Sequence, residues 1–308
     1  MEKNMNYQSV IVTYNRKDKL IEAVNSILNQ ELKPVRLIII DNHSTDGTKE
    51  KLSSAGILDN PKVKYLRMLK NYGGSGGFYN GIKEAMKYTD FDFLSLSDDD
   101  AIYKPDFFKL INDYSAEHPE VKAFTGTVKY EDGTIQTDHR RKITNDKWLQ
   151  QAEIPQSSYS HNFKLDLFSF VGCVISRDVL KKIGLPEKDY FIYYDDTEYS
   201  LRVRKCTEIV NISDAVIIHK TPKKDPAKKN LIGWKNYYEL RNSMLMKEDH
   251  SDWKWLKLYF YYFYCRLILV VLFSKDFRGQ RRRALYTYRH GFKDGINHKS
   301  GKNIHFLP

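Results

Sequence analysis

Along the first hundred residues, short apolar runs alternate with apolar residues at helical spacing. The predicted strands are residues 9–13, 36–40, 63–68 and 92–97. Between these runs, apolar residues recur at intervals of three and four, which predicts the helices 20–28, 48–53 and 82–86. Strands that alternate with helices indicate a mostly parallel sheet covered on both faces and joined by right-handed crossovers. We therefore predict an α/β fold.

The pattern changes in the next part of the chain. Residues 123–128 and 168–171 predict two further strands, and the polar stretch between them, 130–164, has few periodic apolar residues. Long irregular segments in compact domains are usually functional lids or disordered. We expect 130–164 to be an excursion over the active-site face.

Residues 253–273 show a third pattern, in which closely spaced Trp, Tyr and Phe precede an aliphatic run. Trp and Tyr prefer the membrane–water interface. Lys257 and Arg266 interrupt the segment, and a central Arg in a spanning helix costs about 2.5–3.5 kcal/mol. We predict a helix that lies in the interface rather than one that spans the membrane. A helix packed on the catalytic domain and an oligomer contact are the alternatives.

The charge of the chain is distributed unevenly. The 308 residues carry a net charge of +11, and residues 220–308 hold 20 Lys and Arg against 7 Asp and Glu. Such asymmetry indicates an anionic membrane surface or a nucleic acid as partner. The aromatic residues cluster with aliphatic ones rather than alternating with basic ones, so we predict a membrane surface and no nucleic acid. The basic residues expected to face lipid are Lys254, Lys257, Lys275, Arg278, Arg281, Arg282 and Arg283.

Cysteine usage and the N-terminal residues bear on location. Cys173, Cys206 and Cys265 have no metal-binding spacing, which favours a reducing compartment over a disulfide framework. The first residues lack the apolar segment of a secretory signal. We expect a cytoplasmic protein, peripheral on the inner face of the cell membrane, with a catalytic domain at 1–220 and a helical, basic region at 221–308.

Three consecutive aspartates, Asp98, Asp99 and Asp100, directly follow the strand predicted at 92–97. Carboxylates this close repel one another unless a cation neutralises them. Carboxylate oxygens are preferred ligands of Mg²⁺ and Mn²⁺, which commonly bridge proteins to phosphates. Ligands of open α/β sheets bind at the carboxyl ends of strands. The sequence predicts a metal–diphosphate site, and an acidic surface turn or a helix N-cap is the alternative.

Three further features could carry chemistry. Four glycines within 73–77 precede a helix and predict a loop that a ligand can approach closely, with a plain tight turn as the alternative. Asp195 and Asp196, with Glu198, follow an apolar run; burial raises a carboxyl pKa toward the working range of a general base, whereas N-capping is the simpler explanation. His219 ends another apolar run and is a candidate metal ligand or a structural histidine.

In their order and spacing, these segments resemble the inverting family-2 glycosyltransferases of the GT-A fold. Among them the chain is most similar to bacterial galactofuranosyltransferases, with rhamnosyltransferases close behind. The matching segments are residues 12–16, 40–48, 71–78, 98–100, 194–198, 219 and 237–242. The resemblance covers residues 8 to 242 and implies a GT-A-type nucleotide-binding sheet.

The resemblance also implies roles for individual residues. The base and ribose of the nucleotide would be held by Thr13, Asn15, Arg16 and Asp41. The diphosphate or donor sugar would lie against Asn71, Gly74, Asp98 and Asp99. The metal, Mn²⁺ or Mg²⁺, would be bound by Asp98, Asp100 and His219. The catalytic residues would be Asp196, as the base, and Asp195, which would orient the acceptor.

The activity that follows from the resemblance is transfer of galactofuranose from UDP-galactofuranose to a hydroxyl of a lipid-linked cell-surface glycan. Transfer of rhamnose from a dTDP donor is the alternative within the family. An alternative of another class is a non-catalytic sugar-nucleotide or glycan-binding subunit of a membrane biosynthetic complex. The intact acidic clusters disfavour it, because binding alone needs no base. Assembly as a homo-oligomer is left open.

Overall fold

A computed structural model describes residues 4–223 and 231–307. The strands are β1 Tyr7–Thr13, β2 Arg36–Asp41, β3 Val63–Arg67, β4 Phe93–Asp98, β5 Ala101–Tyr103, β6 Ala123–Lys129, β7 Arg140–Asn145, β8 Gln150–Glu153, β9 Phe163–Leu165, β10 Leu167–Phe168, β11 Cys173–Ser176 and β12 Ile209–His219. The α-helices are α1 Lys17–Leu28, α2 Thr48–Ser54, α3 Gly73–Ala85, α4 Phe107–Glu117, α5 Arg177–Ile183, α6 Asp195–Arg204, α7 Lys235–His250, α8 Leu256–Phe273 and α9 Arg281–Ile296.

The central sheet has the strand order β3-β2-β1-β4-β11-β6-β12-β5, and β9 also pairs with β12. Strands β1, β2, β3, β4, β6 and β12 run in one direction, whereas β5, β9 and β11 run in the other. The predicted mostly parallel sheet is therefore confirmed. Because Thr13 lies opposite Asp41 and Val12 opposite Asp98, the ends of three parallel strands meet at one edge.

Helices cover both faces of this sheet, as predicted. Alternate residues of β1 point in opposite directions, so that Tyr7 and Ile11 join one apolar core while Val10 and Val12 join the other. Helices α1, α2 and α4 pack on the first face, and α3, α5 and α6 pack on the second. The two cores fix the sheet edge that carries the polar residues.

The prediction of a glycine loop at 73–77 is wrong, because these residues form the first turns of α3. The glycines allow α3 to lie unusually close to β1. A Cβ atom at Gly77 would lie 2.4 Å from a methyl carbon of Val12, and one at Gly81 would lie 2.3 Å from Val10. The glycine spacing therefore reflects close packing of helix on strand.

The polar stretch 130–164 is more ordered than expected. It contains the antiparallel hairpin β7–β8, which forms a second small sheet with β10. The buried Arg140 side chain anchors the hairpin by donating hydrogen bonds to the carbonyl oxygens of Gly126 and Val171. The strand predicted at 168–171 is also misplaced, since β10 ends at 168 and β11 begins after a turn at Gly172, whose φ is +72°.

Three long helices complete the described chain. Helix α9 crosses α7 at close range, and a Cβ atom at Gly295 would lie 2.9 Å from Met244 Sδ. Helix α8 packs on α9 through the stacked rings of Tyr264 and Phe292, whose centroids are 4.1 Å apart. The buried residues of α8 are Leu256, Phe260 and Val271. By length and composition, α8 is the one helix of the described chain that could cross a membrane.

Candidate active site

Two of the three consecutive aspartates meet His219 at the carboxyl end of β4. The short strand β5 folds back against β12, which places Ala101 opposite His219 in the sheet. As a result, ligand atoms of Asp98, Asp100 and His219 all lie within 4.8 Å of one another. The structure therefore brings together the three residues predicted to bind a metal.

The hydrogen bonds of His219 prepare it for a cation. Its Nδ1 lies 3.1 Å from Gln136 Oε1, and the Gln136 amide nitrogen donates to the His219 carbonyl oxygen at 3.2 Å. Because Gln136 Oε1 accepts from Nδ1, Nε2 faces Asp100 Oδ1, 3.1 Å away, where it either donates a hydrogen bond to this carboxylate or, unprotonated, directs a lone pair toward it. A lone pair and a carboxylate at this distance require a proton or a cation between them. Two carboxylates and an imidazole therefore fit Mn²⁺ or Mg²⁺.

The three aspartates differ in their electrostatics. Burial and the neighbouring Asp100 raise the pKa of Asp98 to about 7. Burial also raises the pKa of Asp99. Burial acts in the same direction on Asp100, but a hydrogen bond with His219 and the charge of Arg16 outweigh it and lower the pKa. Protonation of Asp98 is therefore favoured near neutral pH, and a cation bound at this site would displace that proton.

Both carboxylate oxygens of Asp99 accept hydrogen bonds from other residues of the protein. The Thr13 hydroxyl donates to Asp99 Oδ2 at 2.7 Å. Arg16 Nη1 donates to Asp99 Oδ1 at 3.1 Å and to Asp100 Oδ2 at 2.9 Å. Asp99 thus positions Thr13 and Arg16 at the rim of the site. Direct contacts of these three residues with a nucleotide stay predictions.

Asn15 and Asp41 organise the adjacent turn after β2. Asn15 has a φ of +53°, and its Oδ1 accepts a hydrogen bond from the amide of Thr45 at 2.7 Å. The buried Asp41 carboxylate accepts from the amide of Ser44 at 2.7 Å and from the Tyr65 hydroxyl at 2.5 Å. Both residues lie at the same sheet edge as Thr13, and their nucleotide-binding roles stay predictions.

Asn71 and Gly74 lie at the start of α3. Asn71 Oδ1 accepts from the amide of Gly73 at 2.8 Å, which begins the helix. A Cβ atom at Gly74 would meet nothing within 4 Å, so this residue faces open space. Neither residue contacts the acidic triplet in the described chain, and their donor-binding roles stay predictions.

The second acidic cluster begins α6. Asp195 is buried and Asp196 is half-buried. Asp196 Oδ1 accepts hydrogen bonds from the amide and the hydroxyl of Thr197, at 2.6 and 3.1 Å, whereas Oδ2 accepts none from the described residues. Arg141 supports this arrangement by donating to the Thr197 hydroxyl at 3.2 Å. Asp196 therefore has one carboxylate oxygen available to take a proton.

Burial dominates the electrostatics of this pair. Burial and the charge of Asp196 raise the pKa of Asp195 to about 8, against the opposing effect of the Ser75 hydroxyl. Burial also raises the pKa of Asp196, and Arg141 partly offsets that rise. Asp98 contributes to the raised pKa of Asp195, so the two acidic clusters are electrostatic neighbours.

A strained loop delivers the pair to the site. Phe191, Tyr193 and Tyr194 have φ values of +67°, +66° and +69°, a region that residues other than glycine rarely adopt. The loop presses against the start of α3, where a Cβ atom at Gly73 would lie 1.9 Å from the Phe191 carbonyl oxygen. Such strain persists only where surrounding contacts over-determine the backbone.

Helix α7 supplies those contacts. The Asn242 side-chain amide donates to the carbonyl oxygens of Tyr190, Ile192 and Tyr193 at 2.9, 2.8 and 3.0 Å. The adjacent, fully buried Arg241 donates to the Tyr190 carbonyl oxygen at 3.1 Å. The C-terminal region therefore holds the loop that carries the candidate base.

Sequence reasoning assigned no role to several residues that complete the site. They are Gln136, Arg141, Lys235, Arg241 and Asn242. Arg241 and Asn242 belong to the segment 237–242, one of the segments that carry the family resemblance. That resemblance is the feature of the sequence that could have identified them. Gln136 and Arg141 lie in the polar stretch, where no periodicity singles them out.

Lys235 has an unusual environment. Its ammonium nitrogen lies 5.7 Å from the ring centroid of Tyr193 and 5.6 Å from that of Trp234. It makes no hydrogen bond or ion pair with any residue that the structure describes. Burial and the nearby Arg16 guanidinium lower its pKa. A cation that has no carboxylate partner among the described residues, such as Lys235, marks a place where an anion would be stabilised.

Comparisons with known proteins agree with this geometry. The model of glycosyl transferase family 2 matches residues 9–184, more than half of the chain. Galactofuranosyltransferase GlfT1 of Mycolicibacterium smegmatis is 25% identical over 200 residues, which are 63% of this chain and 64% of that protein. GlfT1 of Mycobacterium tuberculosis is 32% identical over 220 residues, 68% and 69% of the two chains. The dTDP-rhamnosyl transferase RfbF of Shigella flexneri is 24% identical over 262 residues, 80% and 82% of the two chains.

The first of these relatives is longer than the matched region, and the chain spans less than two thirds of its length. Among solved structures, GalNAc-T7 with UDP, GalNAc and Mn²⁺ has a TM-score of 0.59 at 16% identity, over 85% of this chain and 57% of that one. S. aureus TarS 1–349 with UDP-GlcNAc has a TM-score of 0.57 at 15% identity, over 96% of this chain and 84% of that one. These likenesses show the GT-A fold, and the family match shows the lineage: the chain belongs to glycosyl transferase family 2.

Proposed function

We propose that the protein is an inverting galactofuranosyltransferase that uses UDP-galactofuranose and a hydroxyl of a lipid-linked cell-surface glycan. One observation carries the catalytic part of this proposal. Asp196, with an available carboxylate oxygen, lies in a cluster that is an electrostatic neighbour of the Asp98, Asp100 and His219 group. A base for the acceptor and a charged site for a leaving diphosphate therefore lie within electrostatic reach of each other. The galactofuranosyl relatives support the choice of donor.

A dTDP-rhamnosyltransferase is the second candidate. It is favoured by the length of the match to RfbF, which covers larger shares of both chains than the matches to GlfT1 do. A non-catalytic binding subunit, the candidate of another class, would leave the orientation of Asp196 by Thr197 and Arg141 without a purpose.

In the proposed reaction, Asp196 Oδ2 takes the proton of the acceptor hydroxyl while the hydroxyl oxygen attacks the anomeric carbon of the donor. The bond from that carbon to the diphosphate oxygen breaks, and the nucleotide leaves with the electron pair. Asp195 orients the acceptor, and Arg141 stabilises the ionised form of Asp196. Arg16 and Lys235 place positive charge near the departing diphosphate.

A divalent cation held by Asp98, Asp100 and His219 would supply further positive charge to the leaving group. GalNAc-T7, which has the same fold, was solved with Mn²⁺. Mn²⁺ or Mg²⁺ is therefore the cofactor we propose for this protein.

We also propose that residues 221–308 bind the anionic inner face of the cell membrane. Exposed residues follow one side of α8 at helical spacing and include Leu258, Tyr262, Leu269 and Phe273, and Trp255 at the N-cap of the helix is also exposed. Arg266 lies on the same side, with its guanidinium carbon 5.9 Å from the centroid of the Tyr262 ring. A charge in the middle of this exposed side of α8 favours a helix that lies in the interface over one that spans the membrane.

The arginines after α8 divide into two groups. Arg281 was expected to face lipid, but its guanidinium donates to the carbonyl oxygens of Val271 and Ser274 and caps the end of α8. Arg282 and Arg283 are exposed. Attraction to lipid headgroups would therefore come from these two residues and the exposed lysines around α8.

A donor screen tests the proposed activity. Purified protein with Mn²⁺ would be offered UDP-galactofuranose, UDP-galactopyranose and dTDP-rhamnose, and nucleotide release would be measured. We expect release from UDP-galactofuranose above the other two donors. Release from dTDP-rhamnose alone would select the second candidate, and binding without release from any donor would select the non-catalytic one.

A further inference from the structure

A second cleft opens on the side of α3 that faces away from the sheet. Its volume is about 420 Å³, within the range of small-molecule sites. Gly76, Tyr79, Asn80 and Lys83 repeat at intervals of three and four along α3 and form one wall. We call this the basic cleft, and its defining residues are Lys70, Tyr72, Tyr79, Lys83, Lys188 and Lys302.

The positive charge of the basic cleft is uncompensated. All four of its lysines are exposed, and none forms an ion pair within residues 4–223 and 231–307. Asp189 is the one carboxylate among the residues that line the cleft. Four ammonium groups around one concavity with a single carboxylate create a field that attracts anions.

Aromatic rings hold three of these lysines in place. The pairs, with the distance from Nζ to the ring centroid, are Lys70 over Tyr72 at 5.2 Å, Lys188 over Tyr79 at 5.5 Å and Lys302 over Phe191 at 5.3 Å. Contacts of this kind order an ammonium group without neutralising its charge, as a carboxylate would. The cleft is therefore arranged for an anion.

The basic cleft is joined to the catalytic loop. Phe191 lines the cleft, and its carbonyl oxygen accepts from the amide of Ser75 at 3.3 Å. Asp195 follows Phe191 by four residues, a stretch that spans at most about 14 Å. A ligand seated in the cleft and extending past the loop would reach the aspartate pair with a few sugar units.

We propose that the basic cleft binds a phosphate ester of the acceptor, such as the diphosphate that links a glycan to a lipid, and so anchors the acceptor while its hydroxyl reaches Asp196. Lysines act as point charges toward phosphate, and the tyrosine rings offer faces for an attached sugar. The identity of the ester as the acceptor rests on the proposed function, whereas the anion site does not.

The test compares two variants with equal changes of charge. The cleft variant is K70Q/K83Q/K188Q/K302Q. The control is K49Q/K64Q/K122Q/K182Q, which removes four exposed lysines that make no side-chain hydrogen bond or ion pair with described residues. Calorimetry would measure binding of inorganic diphosphate and of geranyl diphosphate, a soluble lipid diphosphate, with chelator present. We expect both probes to bind the cleft variant at least about 10-fold more weakly than the wild type, and the control within about 2-fold.

Equal binding of both probes to all three proteins would overturn the proposal. A second arm separates the acceptor from membrane phospholipid: if the cleft variant kept geranyl diphosphate but lost binding to phosphatidylglycerol vesicles, the cleft would belong to lipid headgroups and the acceptor assignment would fall. Both arms measure binding alone. If the protein transfers galactofuranose but fails both arms, the basic cleft is not the anion site and the proposed function stands. If it passes both arms but releases no nucleotide, the anion site stands, and the proposed function and the acceptor assignment that rests on it are wrong.

Discussion

The two acidic clusters of this protein are close neighbours but differ in how their charge is compensated. Arg16, Lys19 and His219 surround Asp99 and Asp100 with hydrogen bonds and ion pairs. At the start of α6, Arg141 is the cation that most lowers the pKa of Asp196, yet burial raises the pKa of both carboxyl groups of the pair. The difference indicates two tasks: the first cluster is prepared to hold a cation and a diphosphate, and the second to exchange a proton.

The clusters also differ in what positions them. The ends of β1, β4 and β12 fix the first through the register of the sheet. The second depends on a loop with three positive φ values and on a helix far along the chain. One cluster is therefore built from the catalytic sheet alone, whereas the other requires the C-terminal region.

The largest expected effect comes from removing the base. Asp196→Asn keeps the shape and the hydrogen bond to Thr197 but cannot take a proton. We expect kcat to fall at least about 100-fold, with the Kd for the donor unchanged. Asp59→Asn, an exposed change outside both acidic clusters and the basic cleft, is the control for folding and should leave kcat unchanged. Near-normal turnover by the Asp196 variant would show that the second cluster is structural.

The next effect concerns the cation. His219→Ala removes one of three ligands, so the Mn²⁺ concentration needed for half-maximal activity should rise at least about 10-fold. A chelator should abolish turnover of the wild type. His161→Ala, at an exposed site, provides the control. Full activity in the presence of chelator would mean that Arg16 and Lys19 compensate the negative charge of the first cluster without a metal ion.

The dependence on the C-terminal region can be tested at Asn242. Asn242→Ala leaves the carbonyl oxygens of Ile192 and Tyr193 without a side-chain donor and removes one of the donors to Tyr190, so the strained loop should relax away from the site. We expect kcat to fall about 10-fold and the KM for the donor to change little, because donor binding uses the sheet edge. Asp249→Ala, an exposed change on the same helix, is the control. A parallel rise in donor KM would indicate general unfolding instead of a displaced base.

The proton chemistry of the pair predicts a smaller effect on stability. The folded pKa of Asp195, about 8, lies above its ordinary value of 3.8. The folded state therefore binds this proton more tightly, and the contribution of Asp195 to stability falls as pH rises between the two values. In metal-free protein, Asp195→Asn should raise Tm by at least about 3 °C at pH 8 and change it little at pH 4. Scanning calorimetry at both pH values measures this, and a lower Tm at pH 8 would contradict it.

The smallest effect is expected at the membrane. Changing Arg282 and Arg283 to Gln should reduce binding to anionic vesicles by a few fold, and added salt should reduce wild-type binding in the same way. Arg281 is left intact because it caps α8. Lys49→Gln with Lys122→Gln removes the same charge elsewhere and serves as the control. Sedimentation with phosphatidylglycerol and phosphatidylcholine vesicles gives the measurement, and equal, negligible binding to both would assign α8 to a protein contact.

The contrast between the first cluster, fixed by the sheet, and the second, held by a distant helix, also explains what the sequence could predict. The strands β1 to β4 follow from local apolar runs, so the α/β fold was predictable. The grouping of His219 with Asp98 and Asp100 was predicted from the family resemblance, because a lone histidine at the end of a strand does not identify its partners. The glycines of α3 were misinterpreted because their purpose, contact with Val10 and Val12, is tertiary.

Other features depend on pairings between distant residues. Asn242 acts on a loop about fifty positions earlier, and Arg281 caps a helix that also looks like a lipid contact. Arg141 reaches Thr197 across a hairpin with no apolar periodicity. A single sequence does not identify such partners, because no local pattern records them.

The central claim is that Asp196 activates the acceptor for a single displacement of the nucleotide. An oxygen that attacks opposite the leaving group inverts the anomeric carbon. The most direct test is the anomeric configuration of the glycoside formed by the wild type, determined by NMR and compared with that of the donor. The account predicts inversion, with no product from Asp196→Asn on the same timescale; retention of configuration would contradict it.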